Sequence, residues 1–361
     1  MKILVVTGRS GGHIYPALSF LEALYDKHID AQTLLVLPRK NVLSDKESFA
    51  FNIAYLSITP IGLRPSKKNL RGLLNFCKGT LESACILSSF KPDVVVGFGS
   101  IASLPMVFLA WLWRIRVVLH EQNVIPGMAN RILAFCADRI ALSFRETLRY
   151  LKHYHDKIFV TGNPLRKKLC VIPRQEALGY LGLQENKFTI LVMGGSQGSQ
   201  RINMEFMRCI SLLENRSSFQ VIHLAGGRDY DVLEKAYSVL KINFRLFCFL
   251  EAMQYAYSAA DLVISRSGAT TITELNFFKV PAILIPYPFA HKHQLENARI
   301  LSERGGAVIL EEDSLSALKL KAEIGLLAAD PVRLEDMRRG YEGIMPANAG
   351  QLLTDLVLDN N

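Results

Sequence analysis

Twice in this chain an apolar run of strand length ends in glycine and gives way at once to a helical pattern: ILVVTG at residues 3–8 and ILVMGG at residues 190–195. That repetition constrains the fold more than any other feature. A continuous apolar run is the mark of a strand buried on both faces, as in a parallel sheet covered by helices. A parallel neighbour is reached only through a crossover, usually a helix. Residues 3–7 therefore read as strand, 8–13 as turn, 16–27 as helix and 33–37 as the next strand, and the order restarts with strand 189–193, turn 194–198 and a helix from Ile202. The expected class is α/β: two Rossmann-like, doubly wound parallel sheets whose strand carboxyl ends face a central cleft.

With 361 residues the chain has the length of two ordinary domains. Thr161, Gly162, Asn163 and Pro164 break both periodicities and read as a linker, giving expected domains of 1–163 and 164–345 and a terminal segment 346–361 that ends in a helix. An apolar content of 50% removes the disordered class. No apolar run reaches the roughly 18 residues of a membrane-spanning helix; the longest, 104–112, is stopped by Arg114 and Arg116. Met1, Lys2 and a strand lead straight into a glycine turn, so this opening is expected to be fold and not signal peptide. The six cysteines, Cys77, Cys85, Cys136, Cys170, Cys209 and Cys248, form no CxxC pair and no zinc spacing. They read as small core residues of a reducing compartment, without a structural metal.

Charge is unevenly placed. Residues 1–163 hold 20 Lys and Arg against 11 Asp and Glu, whereas the remainder holds 22 of each. The first half is therefore expected to meet something acidic. Between Ile61 and Cys85, the cations Arg64, Lys67, Lys68, Arg71 and Lys78 alternate with Leu63, Leu70, Leu73, Leu74 and Phe76. Such a basic amphipathic pattern suits an anionic bilayer, and equally a solvated helix over an ordinary core. Leu112, Trp113, Arg114, Ile115 and Arg116 offer a second such element. No basic platform interleaved with aromatics is present, which argues against nucleic acid as a partner.

The strongest single stretch is 265–298. An apolar strand (Leu262, Val263, Ile264) turns through Ser267, Gly268 and Ala269 into a helix that carries Glu274. The first N–H groups of a helix lack internal partners and sit at its positive dipole end, so they suit an anion. Glu274 beyond them suits the vicinal hydroxyls of a ribose, and a following loop brings His291, His293, Gln294 and Asn297 to the same sheet edge. A strand, glycine turn and helix occur in any α/β protein, and a Glu there can simply complement the dipole. Neither glycine loop has GxGxxG spacing, and the second strand ends in Pro38 and Arg39 where NAD binding prefers an acid, so an NADP enzyme is the one dinucleotide reading left.

Together, the loops at 8–13, 97–105 and 194–198, HEQN at 120–123, GNPLR at 162–166 and SGATTITE at 267–274 resemble the MurG family of bacterial transferases. The resemblance runs through nearly the whole chain in order. It implies a GT-B fold and an inverting transfer of N-acetylglucosamine from UDP-N-acetylglucosamine (UDP-GlcNAc) to the 4-hydroxyl of N-acetylmuramic acid in undecaprenyl-pyrophosphoryl-MurNAc-pentapeptide, turning lipid I into lipid II. It also implies peripheral attachment to the cytoplasmic face of the inner membrane, for which the basic amphipathic pattern offers Arg64, Lys67, Lys68, Leu70, Arg71 and Leu74 as a contact surface for anionic lipids, and a terminal helix that returns to the first domain.

Carried over residue by residue, the resemblance gives Ser10, Gly11, Gly12 and His13 donor and acceptor roles in the first loop and puts Gly99 and Ser100 on the acceptor side. Asn123 is to touch the sugar and Arg166 the pyrophosphate. Ser196, Gln197 and Gly198 are to take phosphate, Leu250 to hold uracil through its backbone, Ala269, Thr270, Thr271, Ile272, Thr273 and Glu274 to take phosphate and ribose, and Gln294 to contact the donor. The chain departs from the family pattern at Arg9 and Ser10, which replace Gly and Thr, and at Ser100 and Ile101, which replace Gly and Tyr; Arg9 would be strained if the glycine it replaces had positive φ. His13 is the expected base, since a histidine titrates near neutrality. Glu121 is the alternative, with His120 as its orienting partner or an acceptor contact. No cofactor and no metal are expected, since no DxD pair of carboxylates is read in the chain: the departing UDP is to be stabilised by helix N-termini, Ser196, Arg166 and the amides from Gly268 to Thr270. Rival readings are another GT-B glycolipid transferase, a UDP-GlcNAc epimerase, or a UDP-sugar-binding scaffold without turnover.

Overall fold

The computed structural model describes residues 1–27, 30–39, 51–58, 67–195, 197–290 and 292–359, leaving out the side chains of 67–71 and 73. Two compact units divide it: residues 1–167 with 345–361, and residues 168–344. The chain passes between units after Lys167, beyond the 163/164 boundary read from the sequence, so Arg166 belongs to the first unit and not the second.

The first unit contains β1 (Lys2–Val6), α1 (Gly11–Asp26), β2 (Gln32–Pro38), β3 (Asn52–Leu56), α2 (Lys67–Phe90), β4 (Val94–Gly97), α3 (Ser103–Leu112), β5 (Arg116–Glu121), α4 (Met128–Leu133), β6 (Arg139–Leu142) and β7 (Ile158–Val160). Among the described residues its parallel sheet runs β3-β2-β1-β4-β5-β6-β7. The second unit contains α5 (Arg174–Leu181), β8 (Phe188–Met193), α6 (Gln200–Leu212), β9 (Phe219–Leu224), α7 (Tyr230–Val239), β10 (Asn243–Phe247), α8 (Met253–Ala259), β11 (Leu262–Ser265), α9 (Ala269–Phe278), β12 (Ala282–Leu284), α10 (His293–Ser302), β13 (Ala307–Ile309), α11 (Ala317–Ala328) and α12 (Pro331–Arg339). Its sheet, also parallel, runs β10-β9-β8-β11-β12-β13.

Strand order reverses between β1 and β4 in the first sheet and between β8 and β11 in the second. In such sheets ligands bind beyond the carboxyl ends of the two strands at the reversal. Those ends are continued by residues 7–10 and 98–102 in the first unit and by 194–199 and 266–268 in the second. The glycine loops of the sequence therefore occupy the switch point of each unit.

The last helix, α13 (Ala349–Leu358), belongs to the first unit. Leu353, Leu356 and Val357 join Ile3, Val5, Ile14, Ala17 and Phe20 in one buried cluster, a burial worth roughly 1.5 to 3 kcal/mol per side chain at most. Arg116 and Arg139 both donate to the Leu356 carbonyl, at 2.9 and 3.1 Å, and Arg139 also meets Asp359 at 2.9 Å. Two cations thus hold the helix's carboxyl end, where its dipole is negative. Arg116 is occupied in this way and is not part of a basic outer face. Boundaries near the site also shift: α1 begins at Gly11, so His13 lies in a helical first turn and not in the preceding loop, and α10 begins at His293, so Gln294 and Asn297 are helical.

Candidate active site

At the switch point of the first unit, the loops after β1 and β4 touch. A Cβ on Gly8 would lie 2.5 Å from Ser100 Cβ, so only glycine fits there. Ser10, extended at φ −87°, caps α1 with its carbonyl, which accepts from the amides of His13 and Ile14 at 3.0 Å each. Its hydroxyl makes no capping bond, and no atom would touch a Cβ on Gly12. The glycines at this helix start thus leave a close approach open to an anion or a sugar. Arg9 has ordinary negative φ; the strained residue is Ser100, at φ +77° beside Gly99 at +80°. The departure that carries strain is therefore in the second loop and not, as expected, in the first.

His13 is half-buried, and its Nδ1 lies 2.9 Å from Gln122 Oε1. Gln122 Nε2 lies 3.0 Å from both Nδ1 and the carbonyl oxygen of His120, whose Nε2 lies 3.1 Å from the Gly162 carbonyl. His120 itself is fully buried, and burial pushes its pKa down to about 4. A ring with no exposed surface cannot touch an acceptor, so that role falls away.

Glu121 is buried too. Its Oε1 accepts from Asn123 N at 2.9 Å and from Asn123 Nδ2 at 3.4 Å, and its Oε2 from Gly127 N at 2.9 Å and Asn130 Nδ2 at 2.8 Å. Four donors hold the carboxylate as the staple of loop 122–127, a structural task that competes with its expected part as the alternative base. Asn123 is half-buried and is held by that staple and by Thr147 Oγ1 on its carbonyl. Arg166 lies over the ring of Tyr15 on α1, 4.8 Å from its centroid.

In the second unit the loops after β8 and β9 interlock through glycines. Gly198 has φ +75°, and a Cβ there would lie 2.0 Å from the Ala225 carbonyl oxygen; at Gly226, φ +76°, it would lie 2.4 Å from Gln197 O. Gln197 is exposed, and Ser196 lies outside the described residues, as does His291. Leu250, in the loop after β10, is 9% exposed.

Helix α9 starts at Ala269 behind Gly268, whose extended backbone is at φ −63°, with no side chain capping the first turn. Thr270 and Thr271 are half-buried there. Ile272 is wholly in the core, so it can offer a ligand only its backbone, and the Thr273 hydroxyl donates its hydrogen to Ala269 O at 2.9 Å. Glu274 is 8% exposed, and its Oε2 accepts from the buried Tyr257 hydroxyl at 2.7 Å. Gln294 Oε1 accepts from Tyr287 N at 2.9 Å and Ser267 N at 3.3 Å, which leaves its Nε2 amide as the end to offer a ligand.

Arg266 escaped the sequence reading. It is 9% exposed and donates to Ser199 Oγ at 2.9 Å, to the Ile285 carbonyl at 3.1 Å and to Glu312, while lying over the Tyr287 ring. It ties the residue preceding α6 to the end of β12 directly before the start of α9. An arginine abutting a strand as apolar as LVIS was the available signal.

Asp229 and Asp231 were likewise passed over, although with Tyr230 they have the DxD spacing of metal-dependent sugar transferases. Asp229 is buried, with Oδ2 accepting from Asn203 at 2.8 Å, whereas Asp231 is exposed on α7. Among the described residues no three His, Cys, Asp or Glu side chains are grouped to hold a metal ion. A cavity of about 420 Å³ between Arg174, Tyr257, Phe278 and Arg338 opens at the other end of α9, away from these loops.

Two family models match the chain in succession: the glycosyltransferase family 28 N-terminal domain over residues 3–142 and the family's C-terminal domain over residues 189–346. The chain is 37% identical over 369 residues to a UDP-N-acetylglucosamine--N-acetylmuramyl-(pentapeptide) pyrophosphoryl-undecaprenol N-acetylglucosamine transferase of Halothermothrix orenii, covering 99% of each. It is 32% identical over 359 residues to the transferase of the same name from Thermodesulfovibrio yellowstonii, covering 99% of this chain and 98% of that one. Among solved structures it is similar to Acinetobacter baumannii MurG, with a TM-score of 0.76 and 24% identity over 99% of both chains. It is also similar to a UDP-GlcNAc 2-epimerase of Neisseria meningitidis bound to UDP-GlcNAc, with a TM-score of 0.71 and 16% identity over the full length of both. At these identities the structures carry the fold, which is GT-B.

Proposed function

This chain belongs to glycosyltransferase family 28 as a MurG-type N-acetylglucosaminyltransferase, and from that premise we propose how its residues divide the reaction. The enzyme moves N-acetylglucosamine from UDP-GlcNAc to lipid I with inversion, giving lipid II. The acceptor O–H bond breaks as its oxygen bonds to the anomeric carbon, and UDP departs with the electron pair of the broken C–O bond. His13 takes the proton, and the amides that open α9 and the loop 194–198 face the charge that grows on the pyrophosphate. Glu274 accepts from the ribose hydroxyls, the backbone at Leu250 holds uracil, and the Nε2 amide of Gln294 reaches the donor. Asn123 and Arg166 are assigned to the sugar and the pyrophosphate, and the loops at Gly11, Gly12 and Gly99 receive the acceptor.

One observation carries this reading: in the second unit an uncapped helix start, interlocked glycine loops and a carboxylate held by Tyr257 all sit at the strand reversal. The test is radiolabel transfer from UDP-GlcNAc to a lipid I analogue, with UDP affinity measured beside it. Glu274→Gln should weaken UDP about 10-fold or more, the size of a hydrogen bond to a charged group. His13→Ala should cut turnover about 100-fold and leave UDP affinity unchanged. UDP bound as tightly by the Glu274→Gln variant as by the parent removes the ribose assignment.

The membrane surface we assign is apolar at its centre. Phe108, Trp111, Leu112 and Trp113 at the end of α3 are exposed together with Met128, Ile132 and Phe135 in and after α4, and Trp111 packs its ring at 5.6 Å from Phe108 and 5.3 Å from Phe135. Leu74 and Leu81 on α2 are exposed as well, and Arg114 and Arg131 supply exposed cations. Aromatic side chains ringed by cations suit the boundary of an anionic bilayer. Arg64 lies outside the described residues, as do the side chains of Lys67, Lys68, Leu70 and Arg71. Among the described residues no helix is long and apolar enough to cross a membrane. The proposed location is peripheral, on the cytoplasmic face of the inner membrane.

A further inference from the structure

We infer that Gln122 is a positioning residue for the base: its side-chain amide, oriented by backbone carbonyls, fixes the tautomer of His13 and leaves the Nε2 lone pair to receive the acceptor proton. The inference rests on His13 being the base, and each link follows from what the neighbouring atom can do. The Gly162 carbonyl can only accept, so His120, at 3.1 Å, must carry its hydrogen on Nε2. In the neutral ring Nδ1 is then an acceptor. Gln122 presents one side-chain atom both to that acceptor and to the His120 carbonyl oxygen, each at 3.0 Å. Only the amide nitrogen, with two hydrogens, satisfies both; rotating the amide by half a turn would set its oxygen against two acceptors.

Gln122 Oε1 is thereby committed to His13, 2.9 Å from Nδ1. An amide oxygen accepts and does not donate, so His13 keeps a hydrogen on Nδ1 and its lone pair lies on Nε2. The two rings are held by one amide between them, and the chain of bonds ends on the main chain of the segment 161–164, far from His13 in sequence. An amide differs from the carboxylate that often backs a catalytic histidine: it orients the ring without adding a negative charge to favour the imidazolium. Burial of His120, whose ring lies 5.1 Å from that of Phe98, keeps the anchor neutral.

The direct test needs no substitution. In the full-length protein labelled with 15N-histidine, the His13 ring, assigned by comparison with His13→Ala, should show a protonated Nδ1 and an unprotonated Nε2 in its neutral form. The opposite tautomer overturns the inference. The second test is kinetic. Gln122→Met should lower kcat about 10- to 100-fold with KM for UDP-GlcNAc changed less than two-fold, the scale on which losing general-base alignment acts. If Gln122 works through His13, Gln122→Met added to His13→Ala should cost nothing more, whereas equal losses in both backgrounds would assign Gln122 to structure alone and overturn the inference. Near-normal turnover in His13→Ala would instead remove the base assignment, while the tautomer measurement would still decide whether the amide relay exists.

Discussion

Mild acid should destabilise each unit by an amount that one buried histidine sets. His120 in the first unit and His223 in the second have no exposed surface, and burial pushes their pKa values down to about 4 and about 3. Both rings are fully used in the neutral form. His223 donates from Nε2 to Asn203 Oδ1 at 3.0 Å and accepts at Nδ1 from the Tyr237 hydroxyl at 2.8 Å, just as His120 is held between Gly162 and Gln122. In the unfolded chain such side chains titrate near 6.5. Below that pH the unfolded state takes up protons that the folded state refuses, so this stability is complete above about pH 6.5 and is lost as pH falls toward the folded values. At ~1.4 kcal/mol per pH unit over the ~1.5 units from 6.5 to 5.0, each unit should lose about 2 kcal/mol.

The assay is urea unfolding at pH 7.5 and pH 5.0 at equal ionic strength. Both tryptophans, Trp111 and Trp113, lie in the first unit, so their emission follows that unit while circular dichroism follows both. His223→Gln, which removes the titrating ring, should abolish the pH-dependent loss in the second unit even though its baseline stability is lower. Asn203 joins His223 to the donor loop, because its Nδ2 bonds the Ala225 carbonyl against which Gly198 packs. Acid should therefore weaken UDP binding along with stability. A change below about 0.5 kcal/mol between the two pH values, or a loss that survives unaltered in His223→Gln, would refute the reasoning.

Gly198→Ala should disable the donor loop, since a Cβ there meets the Ala225 carbonyl oxygen at 2.0 Å and φ is +75°; a loss of roughly 2 to 3 kcal/mol in stability and at least 10-fold in UDP affinity is expected from strain of this kind, and calorimetry with UDP measures it. Ser100→Gly should stabilise the first unit by up to about 1 kcal/mol, because relief of the left-handed strain at φ +77° outweighs the entropy of the added glycine in the unfolded chain, and a lower urea midpoint for this variant would contradict that. Trp111→Glu should reduce sedimentation with vesicles of anionic phospholipid several-fold at low salt while leaving turnover of a water-soluble acceptor unchanged, because it places a carboxylate in the apolar centre of the proposed membrane face.

What the sequence could reveal was the scaffold of the site. Apolar runs cut by glycine are a local signal, and ILVVTG, ILVMGG and LVIS before Ser267 and Gly268 mark strands β1, β8 and β11 because buried parallel strands need no outside information to be recognised. Gly198 was legible for the same reason, being required by its backbone φ and by a close approach that only glycine permits, whereas its counterpart Gly226 was not singled out because the Gln197 carbonyl that requires it comes from another loop. Arg266 was not, because its importance comes from Ser199, Ile285 and Glu312, none of which is near it in sequence. Arg116 was misplaced on an outer face because the carbonyl it serves, that of Leu356, is contributed from the far end of the chain.

HEQN makes the limit sharper. Four polar residues at the carboxyl end of a buried strand must either meet a ligand or hold the loops around it, and type alone cannot say which, since histidine and glutamate suit either role. The hydrogen-bond inventory decides. Glu121, with four donors on its two oxygens, is consumed in shaping the loop that carries Asn123. His120, fully buried between Gly162 and Gln122, can act only through the amide that separates it from His13. On the proposal that His13 is the base, two of the three expected catalytic side chains therefore act one layer behind it, and the residue that joins that layer to His13 is Gln122, which had been assigned no role. A buried polar group must find partners wherever the fold supplies them, and for this motif the partners are His13 and Gly162, residues that only the run β1-β4-β5-β6-β7 of the open sheet brings together.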